Sequence, residues 1–205
     1  MGASFLSDDR SARLSAAEAT IGGVLSRRPN DPLAHEILGG VLHQTKRPDQ
    51  AIAELERALV LDPNLAAAHG GIGLAKIFIG RARETEAHVN EALRLSPRDS
   101  FAWQWLQYAG GAKLILGADE EAVARLRRSI EVNRNSSFVH FFLAAALANL
   151  GKLDEAHAET LFALTLDPAF TIQRFRSGQE NDNAIFLAGK ERIFEGMRKA
   201  GVPNG

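Results

Sequence analysis

The sequence predicts an all-α fold, an array of paired antiparallel helices, on three observations. Pro29, Pro63 and Pro97 stand 34 residues apart, as do His35, His69 and Trp103; three residues are then inserted and the frame resumes to Pro168. A fixed period of this size corresponds to one helical hairpin per repeat. Apolar residues recur at helical spacing, as in Ile52, Leu55 and Leu59, or Val89, Leu93 and Leu95. No segment alternates apolar and polar residues with hairpin turns between them, so no sheet is expected.

The array is expected over residues 8–170. It comprises a half repeat at 8–29 and units at about 30–63, 64–97, 98–135 and 136–168. Residues 8–28 fit only the second helix of a unit, with Ala17, Ile21 and Val24 on the buried face. The first full unit places a helix over Leu33–Gln44, a turn at Lys46-Arg47-Pro48 and a second helix over Asp49–Val60. Asp49 is expected to cap that helix through its carboxylate, and Pro63, lacking an N–H, helps to stop it. The second unit turns at Gly80-Arg81, where glycine suits a left-handed helix terminus. In the third, a longer first helix over Phe101–Leu116 is expected to absorb the insertion, with the turn at Gly117-Ala118-Asp119 and Arg134 in the proline position. The fourth turns at Gly151-Lys152. Residues 169–176 can begin a helix, and 177–183 are polar and expected as a loop. Ala184–Ala200 forms a last amphipathic helix with Phe186, Ile193, Phe194 and Met197 on one side. A solenoid needs such an element to hide its last core face, so 171–205 are assigned as a loop and capping helix.

Composition narrows the function classes. At 205 residues the chain is one domain or one short array, and 45% hydrophobic residues suffice for a packed core. The formal net charge is −1. The basic pairs Arg27-Arg28, Arg127-Arg128 and Arg198-Lys199 fall near expected helix C-termini, where they suit the dipole. No basic stripe for nucleic acid results. The absence of cysteine excludes disulfides, cysteine metal sites and thiol catalysis. The start, MGASFLSDDR, is acidic and lacks an apolar run. No stretch is long enough to span a bilayer, and Leu6 occupies the position where a myristoylation motif after Gly2 needs Ser or Thr. A cytoplasmic protein with no membrane or nucleic-acid partner and no cofactor is expected.

The repeats resemble the tetratricopeptide (TPR) family. The large position of its first helix is filled by His35, His69, Trp103 and His140. The following Leu–small pair is Leu38-Gly39, Ile72-Gly73, Leu106-Gln107 and Leu143-Ala144. The second helices supply Ala51, Leu55 and Ala58, then Ala122 and Leu126, then Ala156 and Ala163. The resemblance covers residues 10–170 and implies a right-handed α-α superhelix whose first helices line a concave groove. Asp182-Asn183, Phe186-Leu187-Ala188-Gly189, Glu191-Arg192-Ile193 and Glu195–Pro203 look like the end of a bacterial group. Those proteins join C-terminal TPR repeats to an adenylate or guanylate cyclase domain or a winged-helix domain. That likeness implies a regulatory, signalling role, and the half-repeat start is consistent with a fragment of such a protein or with a shortened stand-alone relative.

By the family's geometry the groove candidates are Leu33, Glu36, Gly40, His43 and Gln44, then Ala67, Gly70, Leu74, Ile77 and Phe78. The third unit offers Phe101, Gln104 and Tyr108, the fourth Phe138, Phe141, Ala145 and Asn149. This apolar and aromatic set favours a peptide, a helix or a second copy of the chain, unless the C-terminal segment already fills it. An aromatic pocket at Phe78, Tyr108 and Phe141 would also suit a small apolar ligand. The family's carboxylate clamp is not expected, because Glu36, Gly40, Gly71, Phe101 and Trp105 supply no cation. Gly71-Ile72-Gly73 lies inside a helix and reads as packing rather than a dinucleotide loop. His35, His69 and His140 sit in successive units, so no metal site is expected, and each is expected to pack with one ring nitrogen bonded. The acidic runs Asp8-Asp9, Asp119-Glu120-Glu121 and Asp154-Glu155 are placed at helix starts. With no convergent catalytic constellation, the expected function is a non-enzymatic scaffold for a protein or peptide partner. Homo-oligomeric assembly or small-molecule sensing are the alternatives. Glutamate at Phe141 is expected to spare the fold and impair binding.

Overall fold

The computed structural model describes residues 3–178 and 181–205, with side chains from Arg10 onward. Gln179 and Glu180 of the expected polar loop lie outside the described residues, as do Met1, Gly2 and the side chains of Asp8 and Asp9. The described helices are α1 (Ala3–Arg27), α2 (Pro32–Gln44), α3 (Pro48–Leu61), α4 (Ala66–Phe78) and α5 (Thr85–Leu95). They continue with α6 (Ala102–Leu116), α7 (Asp119–Val132), α8 (Ser137–Asn149), α9 (Leu153–Leu166), α10 (Ile172–Ser177) and α11 (Ala184–Lys199). Among the described residues there is no strand. Helices pair as α2/α3, α4/α5, α6/α7 and α8/α9, and each pair packs on the next to form a helical solenoid.

Each hairpin turns the same way. Lys46, Gly80, Gly117 and Gly151 have left-handed backbones, with φ of 62°, 77°, 77° and 76°. The next residue's N–H then reaches five positions back: Arg47 to Leu42 O (2.9 Å), Arg81 to Lys76 O (2.8 Å), Ala118 to Lys113 O (2.9 Å), Lys152 to Leu147 O (2.9 Å). These bonds satisfy carbonyls that the helix end leaves open. A second repeated bond starts the units: Asp62 accepts from Asn64 N, Asp99 from Phe101 N, and Asn133 from Asn135 N.

Several expectations need correction. Helix α1 begins at Ala3, so Asp8 and Asp9 lie inside it rather than at its start. Arg47, not Asp49, stands at the N-cap of α3; Pro48 is the first helical residue and Asp49 sits in the first turn, where its charge still favours the dipole. The insertion is not absorbed within the third unit's first helix. The repeated turn acceptors Asp62, Asp99 and Asn133 place it in the connection before α6. Leu106 therefore takes the histidine position, and Ala109-Gly110, not Leu106-Gln107, is the large–small pair. Packing agrees, since a Cβ on Gly39 would meet Leu55 Cγ at 2.5 Å and one on Gly110 would meet Leu126 Cγ at 2.6 Å.

The short α10 and the long α11 form within the expected C-terminal segment. Phe186, Ile193, Phe194 and Met197 are buried, as their shared face predicts. The placement of α11 differs from that of an end cap, because it packs on α8 and α6. Leu161 on the last hairpin stays 68% exposed. The largest apolar core joins α8 and α9 to Phe170, Phe175 and the inner face of α11, with smaller clusters along the N-terminal units.

Candidate functional site: the concave face

The first helices α2, α4, α6 and α8 line one face, and α11 lies along its C-terminal half. Its entry loop is fixed first. Asn181 Nδ2 donates to Phe78 O (3.0 Å), and Asn181 Oδ1 accepts from Asn183 N (2.7 Å). Asn183 caps α11, its Oδ1 accepting from Ile185 N and Phe186 N (both 3.0 Å). Asn183 also rests on Gly80, where a Cβ would fall 2.6 Å from its Oδ1.

Along α11, Phe186 stacks on Phe78 at 4.9 Å between ring centroids. Gly189 meets Ile115, and a Cβ on Gly196 would lie 2.6 Å from Ala145 O. Glycine at these two positions lets the helix touch its floor. Arg192 forks onto the buried Asp119 carboxylate, with Nη1 to Oδ1 at 2.7 Å and Nη2 to Oδ2, and Nη1 also reaches Leu114 O at 3.2 Å. One side chain thus neutralises a buried acid and caps the end of α6.

The candidate residues fall into distinct places. Leu74, Ile77, Phe78, Tyr108 and Phe138 surround a cavity of about 300 Å³ between the concave face and α11. Tyr108 Oη donates to Gln104 Oε1 at 3.5 Å, and burial raises its pKa. His43 presents its ring to the edge of Phe78 at 4.8 Å. Burial pushes the His43 imidazole down to about 4, and its Nδ1 is buried with no hydrogen-bond partner among the described residues. Gln44 is exposed at the open N-terminal end. Glu36 lies toward Asp99, its carboxyl raised by burial and then by that neighbouring charge. Phe101 is 57% exposed at the N-cap of α6. Asn149 approaches Asp119 (Nδ2 to Oδ1, 3.4 Å) and adjoins Gly196.

Phe141 is not on an open face. It is fully buried and stacks on Phe170 at 3.9 Å. Glutamate there would place a carboxylate in the core, so it does not spare the fold as the sequence suggests. What remains open is a cleft of about 1140 Å³ at the N-terminal end, bounded by Gln44, Lys46, Asp49, Phe78, Arg81 and the 181–183 loop. Sequence reasoning did not assign the docking roles of Asn181, Arg192, Gly189 and Gly196. The seven-residue spacing of the two glycines, on the face of Phe186 and Ile193, was the available signal.

The repeat histidines form structural contacts. His35 Nδ1 meets Glu54 at 2.6 Å and its Nε2 meets Pro29 O at 3.0 Å. His140 repeats this with Glu159 and Arg134 O at the same distances, so both ring nitrogens are bonded rather than one. In the second unit the acid is replaced by His88, whose Nδ1 lies 3.3 Å from His69 Nδ1. Burial is the first cause lowering the pKa of each member of that pair. Among the described residues, no cluster of three or more His, Cys, Asp or Glu is placed to hold a metal ion.

Residues 5–66 match the tetratricopeptide repeat family model. A comparison with curated protein sequences finds no match. Among solved structures, the chain is similar to PilW, a widely conserved type IV pilus biogenesis factor, with a TM-score of 0.73 and 20% identity over 93% of this chain and 86% of that one. It is similar to a thermophilic TPR protein of Thermus thermophilus, at TM-score 0.66 and 18% identity over 92% and 95%. It is also similar to YrrB, a TPR protein with an unusual peptide-binding site, at TM-score 0.60 and 22% identity over 88% and 90%. The fold is a helical solenoid of the tetratricopeptide type.

Proposed function

We propose that this solenoid is a non-enzymatic scaffold that binds a peptide segment of a protein partner at the open N-terminal end of its concave face. The carrying observation is α11. An amphipathic helix already lies along the apolar half of that face, with Phe186 on Phe78 and glycine against backbone. The surface therefore has the width and chemistry that a helix needs. Beyond α11 the face continues as the open cleft, where Phe78 offers apolar area and Lys46 and Arg81 stand at the edge. The peptide-binding TPR protein YrrB supports the same reading by its fold.

A photo-crosslinking residue at Gln44, compared with one at Val60, tests this. Val60 is 72% exposed on α3. The expected result is one discrete polypeptide captured at Gln44 and absent at Val60, whose crosslinked segment then binds as a synthetic peptide. Equal capture at both positions, or no saturable peptide binding, would remove the reading.

The residues that carry the likeness to cyclase and winged-helix regulators are largely those that dock α11. This favours a second reading, in which the array and its docked helix form the regulatory end of such a protein. An antibody to the array that detects only a species of 22.2 kDa in source cells would exclude a covalent effector domain. Among the described residues, no helix is long and apolar enough to cross a membrane.

A further inference from the structure

We infer that the α4/α5 hairpin is an acid-sensitive joint in the array, built on the contact between His69 and His88. The inference stands without the peptide reading, since it concerns how one unit is held together. Three hairpins share a device, a histidine on the first helix facing a residue 19 positions later on the second. In the first and fourth units that residue is an acid, Glu54 or Glu159. A proton added to His35 or His140 is there met by a carboxylate at 2.6 Å. The third unit has Leu106 and Arg125 at these places, with nothing that titrates near neutral pH. The second unit sets one imidazole against another.

The geometry decides what acid does there. The two Nδ1 atoms lie 3.3 Å apart and the ring centroids 5.6 Å apart, so the nitrogens stand between the rings and face each other. One of them carries the shared proton and the other accepts it. A first added proton is taken by an outer Nε2 and leaves the bond in place. A second puts an N–H on both facing nitrogens, and two donors of like charge then oppose each other. The backbone gives the pair little room to part. Thr85 Oγ1 donates to Gly73 O at 2.9 Å, and a Cβ on Gly73 would meet Thr85 O at 3.3 Å and His88 Cβ at 3.5 Å.

The surrounding charges do not relieve the pair. Glu91 on α5 acts on His69 but is forked onto Arg94. Glu84, in the turn between the helices, acts on His88 but holds Lys76 and Arg81. Glu56, exposed on α3, also acts on His88. Among the described residues, no carboxylate is hydrogen-bonded to either ring. Burial is the first cause depressing both pKa values, helped by Arg94 at His69 and by His69 and Lys76 at His88. Unfolded imidazoles protonate near 6.5, so the contribution of the joint is complete above that pH and is lost as pH falls below it.

Amide exchange of the full chain at pH 7 and pH 5, corrected for the intrinsic rate at each pH, tests the joint. Protection in α4 and α5 should fall about tenfold more than in α2/α3 and α8/α9, the weight of one proton withheld over one pH unit. His88→Glu rebuilds the pairing of the first and fourth units and should bring α4/α5 into line with them. His88→Gln, which offers a partner that does not titrate, should do the same and decides the matter if His88→Glu fails to fold by circular dichroism. Imidazole nitrogen NMR of the wild type needs no variant. There the last proton of the pair should arrive well below pH 6.5. An equal loss of protection in all hairpins, a folded His88 variant that loosens like wild type, or two rings fully protonated by about pH 6 would overturn the inference.

Discussion

Lys46 holds a left-handed backbone where its three counterparts in the later turns are glycines. A side chain in that region costs roughly 1–2 kcal/mol, part of which glycine returns as unfolded-state entropy. Lys46→Gly is therefore expected to stabilise the chain by about 0.5–1 kcal/mol in urea denaturation. A loss of stability would mean that the lysine's own interactions outweigh its backbone strain. Just before that turn, at the end of α2, His43 makes stability depend on pH. Its unfolded imidazole takes a proton near 6.5, whereas the folded one resists until about 4. The contribution of this residue is complete above pH 6.5. It falls by about 1.4 kcal/mol per pH unit below that value and levels off near pH 4. His43→Leu should flatten this limb when denaturation midpoints at pH 7, 5.5 and 4.5 are compared with wild type. Parallel curves for the two proteins would show that His43 is not the titrating group. At Phe141, glutamate should cost about 3 kcal/mol or more, since a buried carboxylate must protonate or break the Phe170 stack. A folded, unshifted variant would contradict that packing.

At the scale of elements, the docking of α11 rests on two kinds of contact that can be separated. Arg192→Ala leaves the Asp119 carboxylate, 7% exposed, without its cation. A loss of roughly 2 kcal/mol is expected, below that of a fully buried pair because the arginine is 36% exposed. Gly196→Val instead pushes a side chain into the Ala145 carbonyl. Both variants should raise amide exchange in α11 and increase binding of a dye specific for exposed apolar surface, while α2–α5 keep their protection. Unchanged exchange in α11 would mean that the helix is held by its apolar face alone. The helical pairs were legible in the sequence because they follow local rules: a left-handed turn residue in each, a period of 34 residues broken by one insertion, and a proline at every boundary but that at Arg134. The apolar face of α11 was legible for the same reason, as Phe186, Ile193, Phe194 and Met197 share one side. Its resting place was not legible. That depends on Gly189 and Gly196 meeting α6 and α8 and on a fork from Arg192 to Asp119, 73 residues away, long-range contacts with no periodic trace. The frame of the third unit was misplaced because Pro97 and Trp103 mimic the period, while the true marker, the turn acceptor Asp99, is one residue type among many.

Across the whole molecule, burial is graded along the array. On α1, Leu14, Ala17, Ile21 and Val24 are only half-buried, because a single neighbouring helix covers them. On α8, nine residues of the thirteen are buried, since α9, α7 and α11 enclose it. In a solenoid each unit contacts only its neighbours, so stability is a sum of local terms and the chain can open from its weaker end. The core that joins α8, α9, Phe170 and α11 breaks that one-dimensional rule, because α11 returns to α6 and ties two units together. Amide protection is accordingly expected to rise from α1 to α8. Leu143→Ala and Leu106→Ala, both at positions nearly inaccessible to water, should each cost about 2–5 kcal/mol. Their effect on exchange should reach all of α6–α9 and α11 at once. Leu55→Ala, on an equally buried leucine of the N-terminal half, should instead lower protection in α1–α4 and leave the slowest amides of α8 unchanged. If Leu55→Ala accelerates exchange in α8 as much as in α3, the array opens as one cooperative block. The tie made by α11 would then extend its hold to the N-terminal units as well.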